Sequence, residues 1–213
     1  VNIYRDKQEI SERDLNEFST FIRKGLAVPI IRKIIKDMDT SIQSQVSSYK
    51  PSGLRTYVTP QESGDLTLFW QKGEGPFKRR DVTAGTDLID KWKVICSRSG
   101  SEHAGNPGSD GRRRVLARTA VLPPGSICTE TYLVVGSYDT ETEANNLHSY
   151  MKTKLFRFLL SQFMYSHGIT KDSFAYIPVL DMHTTWTDEM LYRKYDLNQD
   201  EIDFIESVIR PME

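Results

Sequence analysis

The sequence lacks every short motif that marks the common phosphate-binding and hydrolytic sites. It contains no GxGxxG or GxxxxGK[ST] loop to cradle a nucleotide, no GxSxG elbow, and neither the HExxH nor the HxE…PCxxC zinc pattern. Its single Pro-Pro pair, in "LPPG", does not match the Asx/Ser-Pro-Pro-aromatic tetrapeptide with which amino-methyltransferases hold a flipped base. No lysine has Asp or Glu two positions before it, the spacing that would place both on one side of a nuclease strand. The chain therefore lacks the residues of the common nucleic-acid chemistries.

Cysteine and histidine are too few and too scattered to indicate a metal site. Cys96 and Cys128 each lie in a strand-like apolar run, and no CxxC pair is present. We therefore predict two buried, reduced thiols. The four histidines are predicted to be surface or packed residues, and not ligands: His103, His148, His167 and His183.

Long apolar runs are also missing. No stretch approaches the ~18 residues of a membrane span, and no charged-then-apolar leader opens the chain. The chain has 213 residues, of which 38% are hydrophobic and 27% charged, which is enough for one large globular domain or two small ones. We predict a cytoplasmic protein with no membrane partner. The chain starts at Val1 inside a strand-like run, which we interpret as the start of an excised part of a longer polypeptide.

Charge is unevenly distributed, although the formal net charge is only −1. Residues 72–118 contain eleven Lys and Arg against six Asp and Glu, whereas residues 181–213 contain three against nine. A basic middle and an acidic end predict an electrostatically polarised molecule.

Periodicity predicts an α+β fold with helices near both termini. "SERDLNEFSTFIRKG" and "VPIIRKIIKDM" have helical spacing, short β-rich runs follow from residue 54, and two short helices begin at Thr187 and Asn198. "LRTYVTP" and "FKRRDVT" are among the predicted strands, and "FAYIPVLD" is predicted to be extended. We expect a twisted, mainly antiparallel or mixed sheet over residues 54–136. The chain is predicted to consist of an N-terminal helical connector (1–50) and an α+β domain (51–213), or to form one continuous domain.

One long helix is predicted to pack on this sheet, from Thr140 to about His167. Thr140 and Glu143 form a T-x-x-E capping box at its start. A stripe of apolar residues recurs at helical spacing along it: Ala144, Leu147, Met151, Leu155, Phe158 and Leu159. Lys154 and Arg157 lie on a neighbouring flank, where they are either solvated, paired with acids, or able to line a phosphate backbone. The helix is predicted to be scaffold.

Three basic clusters are candidates for nucleic-acid contacts, because arginine forks match phosphates and guanine edges. "FKRRD" follows a strand-like run, "DKWKVICSR" is itself a strand in which residues 91 and 93 share a face, and "GSDGRRR" ends a long Gly- and Ser-rich loop. The alternative is that each cluster is an ordinary solvated face. The predicted DNA-contacting residues are Lys78, Arg79, Arg80, Arg98, Arg112, Arg113 and Arg114.

Several segments resemble a known family. "VPIIRKIIKDM…SSYKPSGLRTYV" is similar to a helix followed by a (K/N)PFGL(R/K)T motif, with Ser52 in place of the usual Phe. "DKWKVICSRSGSEHAG" resembles the family's KYKV strand with its glycine-containing loop. "ICTETYLVVGSYDTETEANNLHSYMKTKLFRFLL" and "FAYIPVLDMHTTWTDEMLYRKYDLNQDEIDFIESVIRPME" resemble its long strand–helix and C-terminal motifs. These motifs are those of the C-terminal specificity region of adenine-specific DNA methyltransferases of bacterial restriction–modification systems, which include fused restriction–methylation polypeptides. The resemblance covers residues 28 to 213.

The resemblance implies a target-recognition domain without a catalytic centre of its own. It implies that double-stranded DNA is the ligand and that S-adenosylmethionine binds to a catalytic methyltransferase domain elsewhere in the same polypeptide, with no cofactor in this part. Two other functions remain open. One is a nuclease of an unrecognised type, and the other is a protein-interaction module that docks a subunit through acidic residues of the C-terminal region: Asp200, Glu201 and Asp203.

Overall fold

A computed structural model describes residues 2–6, 9–14, 16–101, 107–164 and 168–212, with only the backbone described for 2–6 and 9–13. Within these ranges the chain forms five α-helices and eight strands. The helices are α1 (Ala27–Lys36), α2 (Glu141–Lys152), α3 (Lys154–Gln162), α4 (Asp188–Lys194) and α5 (Gln199–Val208). The strands are β1 (Asn2–Asp6), β2 (Glu9–Arg13), β3 (Leu66–Trp70), β4 (Gly73–Phe77), β5 (Trp92–Ser97), β6 (Thr119–Leu122), β7 (Ser126–Cys128) and β8 (Tyr132–Tyr138). None of the described helices has the length and apolar character needed to cross a membrane.

The predicted helix over "SERDLNEFSTFIRKG" is wrong. Its first part is β2, which pairs antiparallel with β1, and the rest consists of turns. Tertiary contacts replace helical hydrogen bonds here. The edge of the Phe18 ring meets Tyr176 at 6.0 Å between centroids, the Ser19 N–H donates to the Tyr176 hydroxyl at 3.0 Å, and Ile22 is buried.

Helix α1 is confirmed where the sequence predicts it. Ile30, Ile31 and Ile34 are fully buried, and Lys33 near its C-terminal end donates to the Glu201 carboxylate at 2.7 Å. These isoleucines belong to the same apolar core as α2, α3, β5 and β8. A division of the chain at residue 50 stays a prediction.

The β-region forms two three-stranded sheets, and not one continuous sheet over residues 54–136. Strand β3 pairs antiparallel with β4 and parallel with β7, whereas β5 pairs antiparallel with both β6 and β8. The predicted strands "LRTYVTP" and "FKRRDVT" are wrong, because the first segment forms turns and the second mostly a 3-10 turn over Arg79–Asp81. Each sheet covers its own apolar cluster, and a small third cluster around Cys128 joins them.

The single long helix is corrected to two helices. Helix α2 starts as predicted, with the Glu143 N–H donating to the Thr140 hydroxyl at 3.3 Å. At Thr153 the backbone becomes extended (φ −60°, ψ 152°), and α3 begins one residue later and ends at Gln162; residues 165–167 lie outside the described part of the chain. The Thr153 hydroxyl causes the break locally, since it donates to Tyr150 O at 2.7 Å and accepts from Phe156 N at 3.2 Å. The apolar stripe is buried along both helices.

Replacing Thr153 with alanine removes this cap, and we expect the free energy of unfolding to fall by about 1 kcal/mol. Thr153→Ser retains the hydroxyl oxygen, so its free energy of unfolding should fall clearly less than that of Thr153→Ala. Urea denaturation of both variants measures the difference. Equal stability of the alanine variant and the wild type would show that the break does not depend on the cap.

The two C-terminal helices confirm the predicted starts. The Thr187 hydroxyl accepts from Met190 N at 3.3 Å, and Asn198 with Glu201 forms a reciprocal capping box. Tyr192 and Glu206 connect the two helices through a 3.1 Å hydrogen bond. The "FAYIPVLD" segment (174–181) begins at the last residue of a 3-10 turn over Lys171–Phe174 and continues through a turn to a single bridge from Pro178 to Ser41, so the predicted extended run is only partly present.

Candidate nucleic-acid interface

Arg98 lies directly after β5, and backbone hydrogen bonds fix it on both sides. Its N–H donates to Thr131 O at 3.0 Å, and its carbonyl accepts from Ile169 N at 2.6 Å. The guanidinium lies over the ring of Tyr49, 3.5 Å from the centroid. This is a close cation–π contact, in which the aromatic face attracts the positive charge. The contact determines where the Arg98 fork is presented.

Stacking uses the face of the guanidinium and leaves its in-plane N–H groups for other partners. Among the described residues none accepts a hydrogen bond from this side chain, and its Nε is buried. A buried donor without an acceptor costs on the order of 1–3 kcal/mol. The two Nη groups have no hydrogen-bond partner among the described residues and are not among the buried atoms, so they are the donors that a phosphate or guanine edge would reach.

The stack is part of a wider aromatic and basic surface. Residues Leu54 and Thr56 hydrogen-bond to Glu130, while Arg98 hydrogen-bonds to the next residue, Thr131. The turn that follows Tyr49 and the segment that ends in Tyr57 therefore lie beside Arg98. Tyr49 and Tyr57 are 54% and 80% exposed. We call this the Tyr49–Arg98 surface, and it comprises Tyr49, Lys50, Arg55, Tyr57 and Arg98.

The residues predicted from the sequence include Arg98 but neither of the two tyrosines. A signal was present, because Tyr49 and Tyr57 flank a Pro–Gly turn and each lies within two residues of a cation. Ser52, which replaces the usual Phe of the resembled motif, is buried in this turn. Its hydroxyl accepts from Cys128 N at 3.3 Å, which ties the turn to β7.

Arg112, Arg113 and Arg114 are adjacent in sequence but have different environments. Arg112 is 3.4 Å from the carboxylate of Asp110, which also binds Arg210 at 2.8 Å. Arg113 is held through its backbone, which bonds to Val208 and Arg210 at 2.8 and 2.9 Å. Arg114 is exposed. They do not form one cluster of equivalent cations.

Backbone strain follows directly after these arginines. Val115 has φ +73°, a left-handed conformation that is rare for a β-branched residue, and its side chain is buried. The Val115 carbonyl accepts a hydrogen bond from Ser101 N at 3.2 Å, which joins the residues on either side of the Gly- and Ser-rich loop. Such strain persists only where surrounding contacts enforce it, and it concentrates at functional sites.

Lys78, Arg79 and Arg80 line a shallow depression of about 550 Å³ together with Asp65. Arg79 donates two hydrogen bonds to the Asp90 carboxylate, at 2.9 and 2.6 Å, and this pairing lowers the pKa of Asp90 below its ordinary value. The charge of Arg79 is therefore largely compensated. Arg80 is 77% exposed and only marginally paired, at 4.0 Å from Asp81.

Lys91 and Lys93 do not share an exposed strand face. The Lys91 ammonium donates to Asp139 at 2.8 Å, whereas the Lys93 ammonium is buried within a group of backbone carbonyls. It donates to Lys91, Leu88 and Ile89 oxygens at 2.6, 2.9 and 3.0 Å. Burial lowers the pKa of Lys93 to about 8. This lysine closes the turn before β5 and is not available to a ligand.

The shifted pKa of Lys93 predicts a pH-dependent contribution to stability. Between about pH 8 and the ordinary value of 10.5, the unfolded chain binds a proton that the folded chain does not, so the lysine's contribution to stability rises with pH. We expect the stability difference between wild type and Lys93→Met to increase in favour of the wild type across this interval. Urea denaturation of both proteins at pH 7 and pH 10 measures it. A constant difference would contradict the lowered pKa.

The cysteine prediction is confirmed, since Cys96 and Cys128 are buried free thiols whose pKa burial raises to about 12. His148 lies 2.9 Å from the Thr119 hydroxyl, and His183 is exposed. His103 and His167 lie outside the described residues. In the described ranges no three His, Cys, Asp or Glu side chains come together as a metal-binding group.

No protein-family model, curated protein or solved structure matches this chain.

Proposed function

We propose that this chain recognises double-stranded DNA in a sequence-specific manner, as the C-terminal specificity domain of a bacterial, cytoplasmic restriction–modification adenine methyltransferase or endonuclease. The observation that carries the proposal is the Arg98 guanidinium stacked on the exposed Tyr49 ring with its N–H donors uncommitted among the described residues. A fixed arginine fork on a sheet end is suited to reading a base edge or gripping a phosphate.

Other cations would supply the non-specific part of binding. Lys50, Arg80 and Arg114 carry positive charge near the surface, as does Arg55, which is partly compensated by Glu130 at 3.4 Å, and cations of this kind neutralise phosphates and position the duplex. Arg79 is assigned a smaller part because Asp90 and Asp65 already hold it. Lys78, Arg112 and Arg113 complete the proposed contacts.

Chemistry is assigned to a catalytic methyltransferase domain of the same polypeptide, which would bind S-adenosylmethionine. We assign no catalytic step to this chain. Its part would be to place the target site so that the catalytic domain can flip out an adenine. The motif resemblance supports this division of labour.

The test is binding of the chain to a randomised duplex pool, followed by fluorescence anisotropy and sequencing of the bound fraction at two salt concentrations. We expect salt-dependent affinity and enrichment of one short motif, since phosphate contacts and base readout act together. Tight binding without any enriched motif would contradict sequence-specific recognition.

The two alternative functions predict different results in the same assay. A nuclease would cleave the duplex when magnesium is added. A subunit-docking module would show no salt-dependent DNA affinity. A subunit-docking function would have fewer exposed carboxylates to use than the sequence predicts, because Glu201 is buried and bound to Lys33.

A further inference from the structure

The β3–β4 hairpin ends in an exposed two-residue turn that the predicted contacts do not include. Trp70 pairs with Gly73, so Gln71 and Lys72 form the turn, and both of their side chains are exposed. Gly73 has φ +145°, a conformation open to glycine, which lets the chain reverse within so few residues. The contacts among the described residues give the Gln71 amide no hydrogen-bond partner. This amide is therefore available to a ligand.

The hairpin tip lies at the same end of the two sheets as Arg98. The turn that connects β7 to β8 holds both of them in place. Thr129 N donates to Phe69 O at 3.1 Å, at the end of β3, and Arg98 N donates to Thr131 O at 3.0 Å. The tip and the Tyr49–Arg98 surface are therefore positioned to meet one ligand together.

Arg118 is connected to both the hairpin and the residue before Arg98. Its carbonyl accepts from Ser97 N at 2.8 Å, and its Nη1 donates to the Tyr132 hydroxyl at 3.0 Å. The same hydroxyl donates to Trp70 O at 3.4 Å. Because a tyrosine hydroxyl is neutral, this contact fixes the guanidinium without compensating its charge. Arg118 therefore adds a cation between the hairpin and Arg98.

Lys72 places a second cation at the tip itself. Its ammonium lies 5.8 Å from the centroid of the Trp70 ring, near the outer limit of a cation–π contact. Glu74 is the acid of the hairpin, and it pairs with Phe69, so it lies on the opposite face from Trp70. Among the described residues no carboxylate forms an ion pair with Lys72 or Arg118. Both charges remain available to phosphates.

The base of the hairpin is fixed, so the tip is presented in one position. Gln61 N donates to Pro76 O at 2.8 Å, and the Gln61 side chain accepts from Lys78 N at 3.0 Å. Leu68 and Phe77 are buried in the apolar cluster beneath the two strands. A reading element that is already ordered loses less entropy when it binds.

The major groove of DNA admits a two-stranded β-ribbon, and a glutamine amide there matches the N6 and N7 edge of adenine with two hydrogen bonds. We propose that the tip of the β3–β4 hairpin enters the major groove, where Gln71 reads one adenine while Lys72 and Arg118 contact phosphates. This inference rests on the proposed DNA recognition and adds a base reader separate from Arg98. An arginine fork matches guanine, so the two residues specify different base pairs.

The test is selection from the randomised duplex pool with wild type, Gln71→Ala and Gln71→Arg. The alanine variant should relax one A·T position and bind the wild-type motif roughly 5- to 150-fold more weakly, the range of a bidentate base contact. The arginine variant should change the preferred base at that position from adenine to guanine, which a merely structural role of Gln71 does not predict. Gln199→Ala is the matched control, because Gln199 is an exposed glutamine that bonds to Asp203 within α5.

Selection of the unchanged wild-type motif by both Gln71 variants overturns the inference while DNA recognition by this chain stands. An equal loss of affinity of Gln71→Ala on the enriched duplex and on a scrambled one also overturns it, because a phosphate contact acts on every sequence. If the wild type itself enriches no motif, the proposed function fails and this inference fails with it.

Discussion

Replacing Arg157 by methionine is expected to lower the free energy of unfolding by about 3–5 kcal/mol. Arg157 is fully buried, and its guanidinium donates to backbone oxygens from three parts of the chain. Nε contacts Lys152 and Thr153 at 3.1 and 3.2 Å, while Nη1 contacts Arg114 and Arg210 at 3.2 and 2.7 Å. Methionine fills similar space but leaves these carbonyls without this donor.

Guanidinium chloride denaturation of Arg157→Met beside Arg193→Met measures this effect. The control removes an exposed arginine whose Nε bonds only within its own helix, to Glu189 O at 3.3 Å, and should change stability by less than about 0.5 kcal/mol. Arg157→Lys should recover only part of the loss, since an ammonium cannot span the carbonyls on both sides. Equal stability of the two methionine variants would refute the bridging role.

The second large effect is expected on DNA binding. Arg98→Ala should weaken binding to the motif enriched from the pool by ~1–3 kcal/mol and relax the requirement at one base pair. Tyr49→Ala should weaken binding less than this, because the arginine keeps its donors but loses the ring that orients it. Tyr49→Phe retains the ring and should bind like wild type.

Arg193→Ala, which removes an exposed arginine outside the proposed contacts, is the matched control, and Arg79→Ala should weaken binding less than Arg98→Ala because Asp90 already compensates Arg79. Anisotropy titrations of these variants on the enriched duplex and on a scrambled one separate base readout from phosphate contact. A uniform loss on both duplexes would make Arg98 a phosphate contact. Unchanged affinity in single alanine variants at all seven predicted positions would mean that the DNA surface lies elsewhere.

Local signals in the sequence were sufficient for several elements. The isoleucine stripe of α1 and the caps at Thr140, Thr187 and Asn198 predicted helices that the structure contains. A helix cap and an apolar stripe depend on residues that are close in sequence, so the local sequence is sufficient to predict these helices. The burial of Cys96 and Cys128 was predictable for the same reason.

The candidate site was predictable only in part. Arg98 could be named because a basic residue ends an apolar strand, but nothing in the sequence joins it to Tyr49, 49 residues earlier. The turn at residues 50–56 hydrogen-bonds to Glu130 and Arg98 hydrogen-bonds to the next residue, Thr131, and these contacts bring the two parts of the stack together. Arg79 and Arg80 are equivalent in the sequence, and only the positions of Asp65 and Asp90 beside Arg79 distinguish them.

The sequence by itself therefore determined an α+β chain with capped helices at known places, buried thiols and a basic middle segment. Tertiary structure alone decided that the sheet divides in two, that the long helix breaks at Thr153 without losing its apolar stripe, and that Arg157 is internal. Helix and strand patterns have periods of a few residues, whereas these outcomes depend on carbonyls and rings brought together from distant parts of the chain. An arginine on a helix flank has the same sequence signature whether it meets water or the backbone oxygens of Arg114 and Arg210.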